Sequence, residues 1–98
     1  MNAKPPPNVL LVITDQQRAT DTGFMGNPIL KTPHLDALAS RSMVFDNAWV
    51  SNPVCMPNRS TLMTGRMPSA HGVIFNDRSL EPSVNTFVRG FRKSGYRT

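Results

Sequence analysis

Five consecutive apolar residues, Val9-Leu10-Leu11-Val12-Ile13, stand near the start of the chain between Asn8 and the polar pair Thr14-Asp15. A continuous, partly β-branched run of that length predicts a buried strand of the parallel type over residues 8–14. The polar stretch Asp15-Gln16-Gln17-Arg18 then falls at the strand's C-terminal end, where α/β sheets hold their ligands. Gly23, Gly26, Pro28 and Pro33 make residues 19–33 a loop. Thr32-Pro33 has the form of a helix start, with Thr as cap and Pro at the first position. Leu35, Leu38 and Ala39 share one face of the helix predicted from His34 to Ser42. A second strand is predicted over residues 43–50, and Ser51-Asn52-Pro53 turns the chain.

A further helix is predicted from Cys55, with Pro57 in its first turn and Gly65 at its C-terminal end. Residues 67–83, with Pro68, Gly72 and Pro82, read as loop. Val84, Phe87, Val88 and Phe91 recur at helical spacing over Val84 to Ser94, and Gly95 stops that helix. Tyr96-Arg97-Thr98 lead towards a next strand. This alternation of strand and helix predicts an α/β fold. A chain that stops on the approach to a strand is expected to be an N-terminal fragment of a larger domain. Residues 1–7, with three prolines in succession, read as a flexible arm of polyproline character, and residues 8–98 as the truncated domain.

Composition narrows the class. A chain of 98 residues suffices for one small domain with a modest core. At 39% hydrophobic and 17% charged it is globular rather than disordered. Eleven Lys and Arg against six Asp and Glu give a net charge of +5. The basic residues are scattered and no stacking aromatics accompany them, so no nucleic acid is expected. A small anionic substrate suits arginine better. The apolar run is too short for a bilayer or a signal peptide, so no membrane partner and a cytoplasmic location are expected. The single cysteine excludes an internal disulfide and leaves Cys55 as a buried structural thiol or a reactive group.

The position of Cys55 favours reactivity. A nucleophile at a helix N-terminus lies among free N–H groups at the positive end of the dipole, which suits an anionic ester. Arg59 is one turn further along the same face. Asp15, at a strand end, offers a carboxylate suited to a hard divalent cation. His71 reads as a loop-packing or surface histidine, His34 as structural, and Trp49, Phe87 and Phe91 as core. Met56, Met63 and Met67 surround the Cys55 segment, where they are expected to pack the helix against the sheet.

Cys55-Met56-Pro57-Asn58-Arg59 fits a C-x-P-x-R signature, and with Ser60-Thr61-Leu62-Met63-Thr64-Gly65-Arg66 it resembles the sulfatase family. Pro7 to Gln16 is similar to that family's opening strand and first metal ligand. Thr32 to Ala39 resembles its next helix, and Gly95-Tyr96-Arg97-Thr98 the approach to its following strand. The resemblance implies a three-layer α/β/α sandwich with a mostly parallel central sheet, incomplete in this chain. It implies that a separate formylglycine-generating enzyme, reading Cys55, Pro57 and Arg59, oxidises Cys55 to formylglycine. The aldehyde's hydrate then attacks sulfur through one hydroxyl, and the second expels sulfate. Arg59 holds the diol oxygens. Asp15, Gln16 and the modified Cys55 are implied as ligands of Ca²⁺, with Mn²⁺ or Mg²⁺ as alternatives. Asn76 is implied as a substrate contact through its amide N–H₂.

Many members of the family carry a second Asp where this chain has Gln16. The Asp15-Gln16 pair resembles the branch of bacterial arylsulfatases, choline sulfatases and phosphonate monoester hydrolases. Sulfate ester hydrolysis is the leading expectation, and hydrolysis of phosphonate monoesters or phosphodiesters on the same scaffold is the alternative. A non-catalytic basic binding module with unmodified Cys55 is the alternative of another class. The second metal pair and the Lys and His groups of the family site are expected downstream of Thr98, so the isolated chain is expected to be inactive and marginally folded.

Overall fold

A computed structural model describes residues 5–98, which fall into two compact units divided between Val44 and Phe45. Residues 1–4 of the expected arm lie outside the described residues, and residues 5–7 are exposed and without regular structure.

In the first unit, two short 3-10 turns, Ala19–Asp21 and Gly23–Met25, precede helix α1, Pro33–Ala39. Pro33 opens α1, where its missing N–H costs nothing. Thr32 occupies the cap position, but its hydroxyl works elsewhere. It donates to Asp36 Oδ1 at 2.7 Å and accepts the Gly23 N–H at 2.8 Å. Asp36 Oδ1 also accepts the Phe24 N–H at 2.8 Å, so the loop is tied to the first turn of α1. A Cβ on Gly23 would stand 2.5 Å from the Asp36 carboxylate, which leaves glycine as the residue that fits. Asn27 closes the loop from within. It accepts the Ile29 and Leu30 N–H groups and donates to the Thr20 carbonyl at 2.7 Å. The helix ends at Ala39 rather than Ser42, and the N–H groups of Arg41 and Ser42 wind down through turn bonds.

The second unit holds α2, Cys55–Thr64, α3, Pro68–His71, and α4, Phe87–Lys93. Both α3 and α4 pack on α2. The centre of this unit is small: Pro57 and Val73 are fully buried, and Ser60 and His71 nearly so. Gly65 ends α2 at φ 65°, where its N–H bonds the Thr61 carbonyl at 2.8 Å. The residues predicted as loop from 67 onward include α3, which Pro68 opens and Gly72 closes. α4 begins at Phe87 rather than Val84, because the Thr86 hydroxyl caps it by accepting the Arg89 N–H at 3.3 Å. Phe91 stacks edge-on against Phe87 and Tyr96, with ring centroids 6.1 and 4.9 Å away.

The strands expected over residues 8–14 and 43–50 do not form, and among the described residues there is no strand. A helix satisfies its backbone groups internally, whereas a strand needs a neighbour to receive its ladder. Both runs are therefore without regular structure, the second with a turn at Asp46-Asn47, and both are exposed: Leu10 is 88% and Val12 75% accessible, Phe45 72% and Trp49 90%. Trp49 is thus not a core residue here. Among the described residues no helix is long and apolar enough to cross a membrane.

Candidate active site

Cys55 is the first residue of α2 and is half-buried. The head of that helix is closed by side chains drawn from both directions along the chain. Asn52 Oδ1 accepts the Val54 N–H at 2.8 Å, and the Val54 carbonyl accepts the Asn58 N–H at 3.0 Å. Pro57 has no N–H to satisfy. The Met56 N–H, which no residue of the helix can accept, donates to Asn76 Oδ1 at 3.2 Å across twenty residues of chain. That donor identifies the carbonyl end of the Asn76 amide and leaves Nδ2 as its donating end.

No acidic residue stands in the first turn of α2. The positive end of the helix dipole is therefore not offset by a carboxylate of its own turn, and Arg59 follows Cys55 by one turn on the same face. Arg59 is exposed. The structure thus brings three of the expected site residues together in the second unit: Cys55, Arg59 and Asn76.

Asp15 and Gln16 belong to the first unit, and both are exposed. Gln16 has φ 51°, a left-handed conformation that a non-glycine residue adopts at a cost. An aspartate oxygen and a glutamine carbonyl are hard donors suited to Ca²⁺, which takes six to eight oxygens. Two such residues are too few to hold the ion by themselves. Among the described residues no group of three or more His, Cys, Asp and Glu comes together.

Sequence reasoning missed the side-chain bonds that tie α3 and Ser51 to α2. His71, expected in a loop or at the surface, is the buried last residue of α3. Its Nδ1 accepts the Val73 N–H at 3.1 Å, and its Nε2 lies 3.0 Å from Thr61 Oγ1 on α2. A peptide N–H aimed at Nδ1 places the ring proton on Nε2, which donates to Thr61. Ser51 Oγ donates to the same hydroxyl oxygen at 3.1 Å. The only advance signal was Asn52, an Asx-turn residue two positions before an N-cap. A shallow, open depression of about 330 Å³ on α4, lined by Asn85, Arg89, Arg92 and Lys93, includes none of the expected site residues.

The comparisons agree with the motif. The sulfatase family model matches residues 7–98. An ulvan-active sulfatase of Formosa agariphila is 41% identical over 92 residues, which is 94% of this chain and 18% of that protein. An arylsulfatase of Clostridium perfringens is 34% identical over 93 residues, covering 94% of this chain and 19% of its own length. The human N-acetylgalactosamine-6-sulfatase is 41% identical over 70 residues, or 71% of this chain and 13% of that protein. The chain therefore spans less than a fifth of the length of these relatives. No solved structure matches it. A family match across residues 7–98, with the Cys55 motif folded as the opening turn of a helix, makes this chain a member of the sulfatase family, whose domain implies an α/β fold of the alkaline-phosphatase type.

Proposed function

We propose that this chain carries the nucleophile end of a sulfuric ester hydrolase. The observation that carries the reading is Cys55 at the first position of α2, with Arg59 one turn on and Asn76 bonded to the residue after it. Residues 8–98 are the N-terminal portion of the catalytic domain. The runs 8–14 and 43–50 join a mostly parallel central sheet in a three-layer α/β/α sandwich.

Matured to formylglycine, the Cys55 side chain would supply a hydrated aldehyde, with one hydroxyl for attack and one for release. As the family resemblance implies, Asp15, Gln16 and the matured Cys55 would be the residues to hold a divalent ion such as Ca²⁺ in the full-length protein, and the ion would supply positive charge for the ester's oxygens. The chain's own residues do the positioning. The head of α2 presents a partial positive charge to the substrate. Arg59 supports an ionised oxygen at the Cys55 position, and Asn76 Nδ2 donates to an oxygen of the anionic head. Pro57 is fully buried and Cys55 half-buried within a helix. A maturing enzyme that reads Cys55, Pro57 and Arg59 therefore meets them before α2 folds.

The test uses the full-length protein co-expressed with a formylglycine-generating enzyme. Peptide mass spectrometry is expected to find an aldehyde-reactive residue at position 55, and an aryl sulfate is expected to be hydrolysed faster than a phosphonate monoester. The neutral Gln16, in place of a second carboxylate, is what keeps the phosphonate reading in view; a reversed rate order selects it. An intact, alkylatable thiol with neither ester hydrolysed would select a binding module instead.

A further inference from the structure

The segment that follows α3 runs back along α2 in the opposite direction and is fastened to it at two points. His71 bonds Thr61 in the second turn, and Asn76 bonds Met56 in the first. Five residues separate each pair of anchors. Along a helix five residues rise about 7.5 Å. Along an extended chain they reach about 17 Å. The strap is therefore slack, and chain length alone does not set where Asn76 sits.

The fastenings differ in quality. The Asn76 bond is 3.2 Å long and exposed, so it adds little of its own. Ile74 and Phe75 are exposed, and Asp77 turns the chain with φ 68°. The inner fastening is buried. His71 is 7% accessible and Val73 is 0% accessible. One imidazole uses both nitrogens here: Nδ1 receives the strap through the Val73 N–H, and Nε2 reaches α2 through Thr61. Thr61 Oγ1 also receives the Ser51 hydroxyl, so the chain entering α2 is held at the same oxygen.

We propose that His71 is a positioning residue for the Cys55 site: through Thr61 and Val73 it holds the strap so that Asn76 meets the head of α2. Its action on the site runs through Asn76. The inference rests on the hydrolase reading for its kinetic consequence, but the strap can be read independently of activity.

The full-length protein is the sample. His71→Asn keeps an acceptor for the Val73 N–H and gives up Thr61; His71→Gln keeps a donor that reaches Thr61 and gives up Val73. Each is expected to raise KM for an aryl sulfate about tenfold, the size of one hydrogen bond to a charged group, with kcat within about twofold. In an Asn76→Ala background His71→Asn is expected to add nothing, because both changes remove one contact. The Met56 amide is expected to exchange with solvent about tenfold faster in His71→Asn, as its acceptor is released. Thr61→Val, a change of nearly equal volume, reproduces these effects if His71→Asn does not fold. A lower melting temperature with KM unchanged, a KM effect that adds to that of Asn76→Ala, or an unchanged Met56 exchange rate overturns the proposal. Should the wild type hydrolyse neither ester, the hydrolase reading falls, and the Met56 exchange alone decides whether His71 holds the strap.

Discussion

The stretch from Cys55 to Gly65 and the stretch from Asn8 to Thr14 were expected to carry the two halves of the site, and they fold very differently. The first is a closed unit. Its head is met by Asn52 and Asn76, its middle by His71, and its end by the left-handed Gly65. The second has no regular structure, and its apolar side chains lie open to solvent. The difference follows from where each kind of structure finds its hydrogen-bond partners. A helix finds them four residues away, so ten residues with suitable ends can be specified locally. A strand finds them on another strand, and burial of its side chains follows only once the sheet is assembled.

The largest expected effect lies in the helical half. Replacing Cys55 by Ala removes the nucleophile, and kcat in the full-length protein is expected to fall on the order of 10⁴-fold or more. Cys55→Ser offers a hydroxyl that can attack but has no second hydroxyl for release. It is expected to trap the sulfuryl group on position 55, detectable as a mass increase of that peptide. Turnover by Cys55→Ala at the wild-type rate would detach the helix from the chemistry altogether.

Arg59 comes next. Arg59→Ala is expected to lower kcat by about 10²–10³-fold, as the loss of one charge-stabilising donor does. Arg59→Lys, which keeps the charge but not the two-pronged geometry, is expected to recover part of that loss. Steady-state kinetics on an aryl sulfate measures both. Activity of Arg59→Lys equal to that of the wild type would make charge alone, rather than the guanidinium fork, the contribution of this turn of α2.

A third experiment addresses the contrast itself. Leu10 is the most exposed residue of its apolar run, at 88%. If that run becomes a central strand in the complete domain, Leu10→Asn destabilises the full-length protein by about 3 kcal/mol, through lost apolar burial and a stranded amide. In the 98-residue chain the same change is expected to stay within about 0.5 kcal/mol, as surface substitutions do. Denaturant unfolding of the two proteins, followed by circular dichroism, gives the comparison. Equal effects in both would mean that the run is covered already by local structure.

What was legible in the sequence follows the same division. Pro57 in the first turn, Gly65 at the end and Gly95 after α4 all stand where their backbone chemistry puts them. The α/β family was readable from motif order. Trp49 was misread because an aromatic in an apolar run looks like core, and whether it is covered depends on partners that local sequence does not name. Thr86 and Thr32 show the limit at helix starts. Both occupy the cap position, yet only Thr86 bonds its own helix, because Thr32 is captured by Gly23 and Asp36. The roles of His71 and Asn76 depend on contacts ten and twenty residues distant, which no local pattern encodes.

Gly65 gives the smallest effect and the cleanest check on the locality of α2. Its φ of 65° lies where a Cβ is disfavoured, and a Cβ built there meets nothing within 4 Å. The cost of Gly65→Ala is therefore conformational alone, about 1 kcal/mol, with no packing contribution to confuse it. Gly65→Asn is expected to cost about half as much, since asparagine enters the left-handed region more readily. Because the Gly65 N–H bonds Thr61 within the same helix, the penalty requires no other part of the protein. It is expected to be the same in the 98-residue chain and in the full-length protein, unlike that of Leu10→Asn. A penalty in the full-length protein several times that in the chain would show that residues beyond α2 press on its C-terminal end, and the helix would then be no more self-sufficient than the strand.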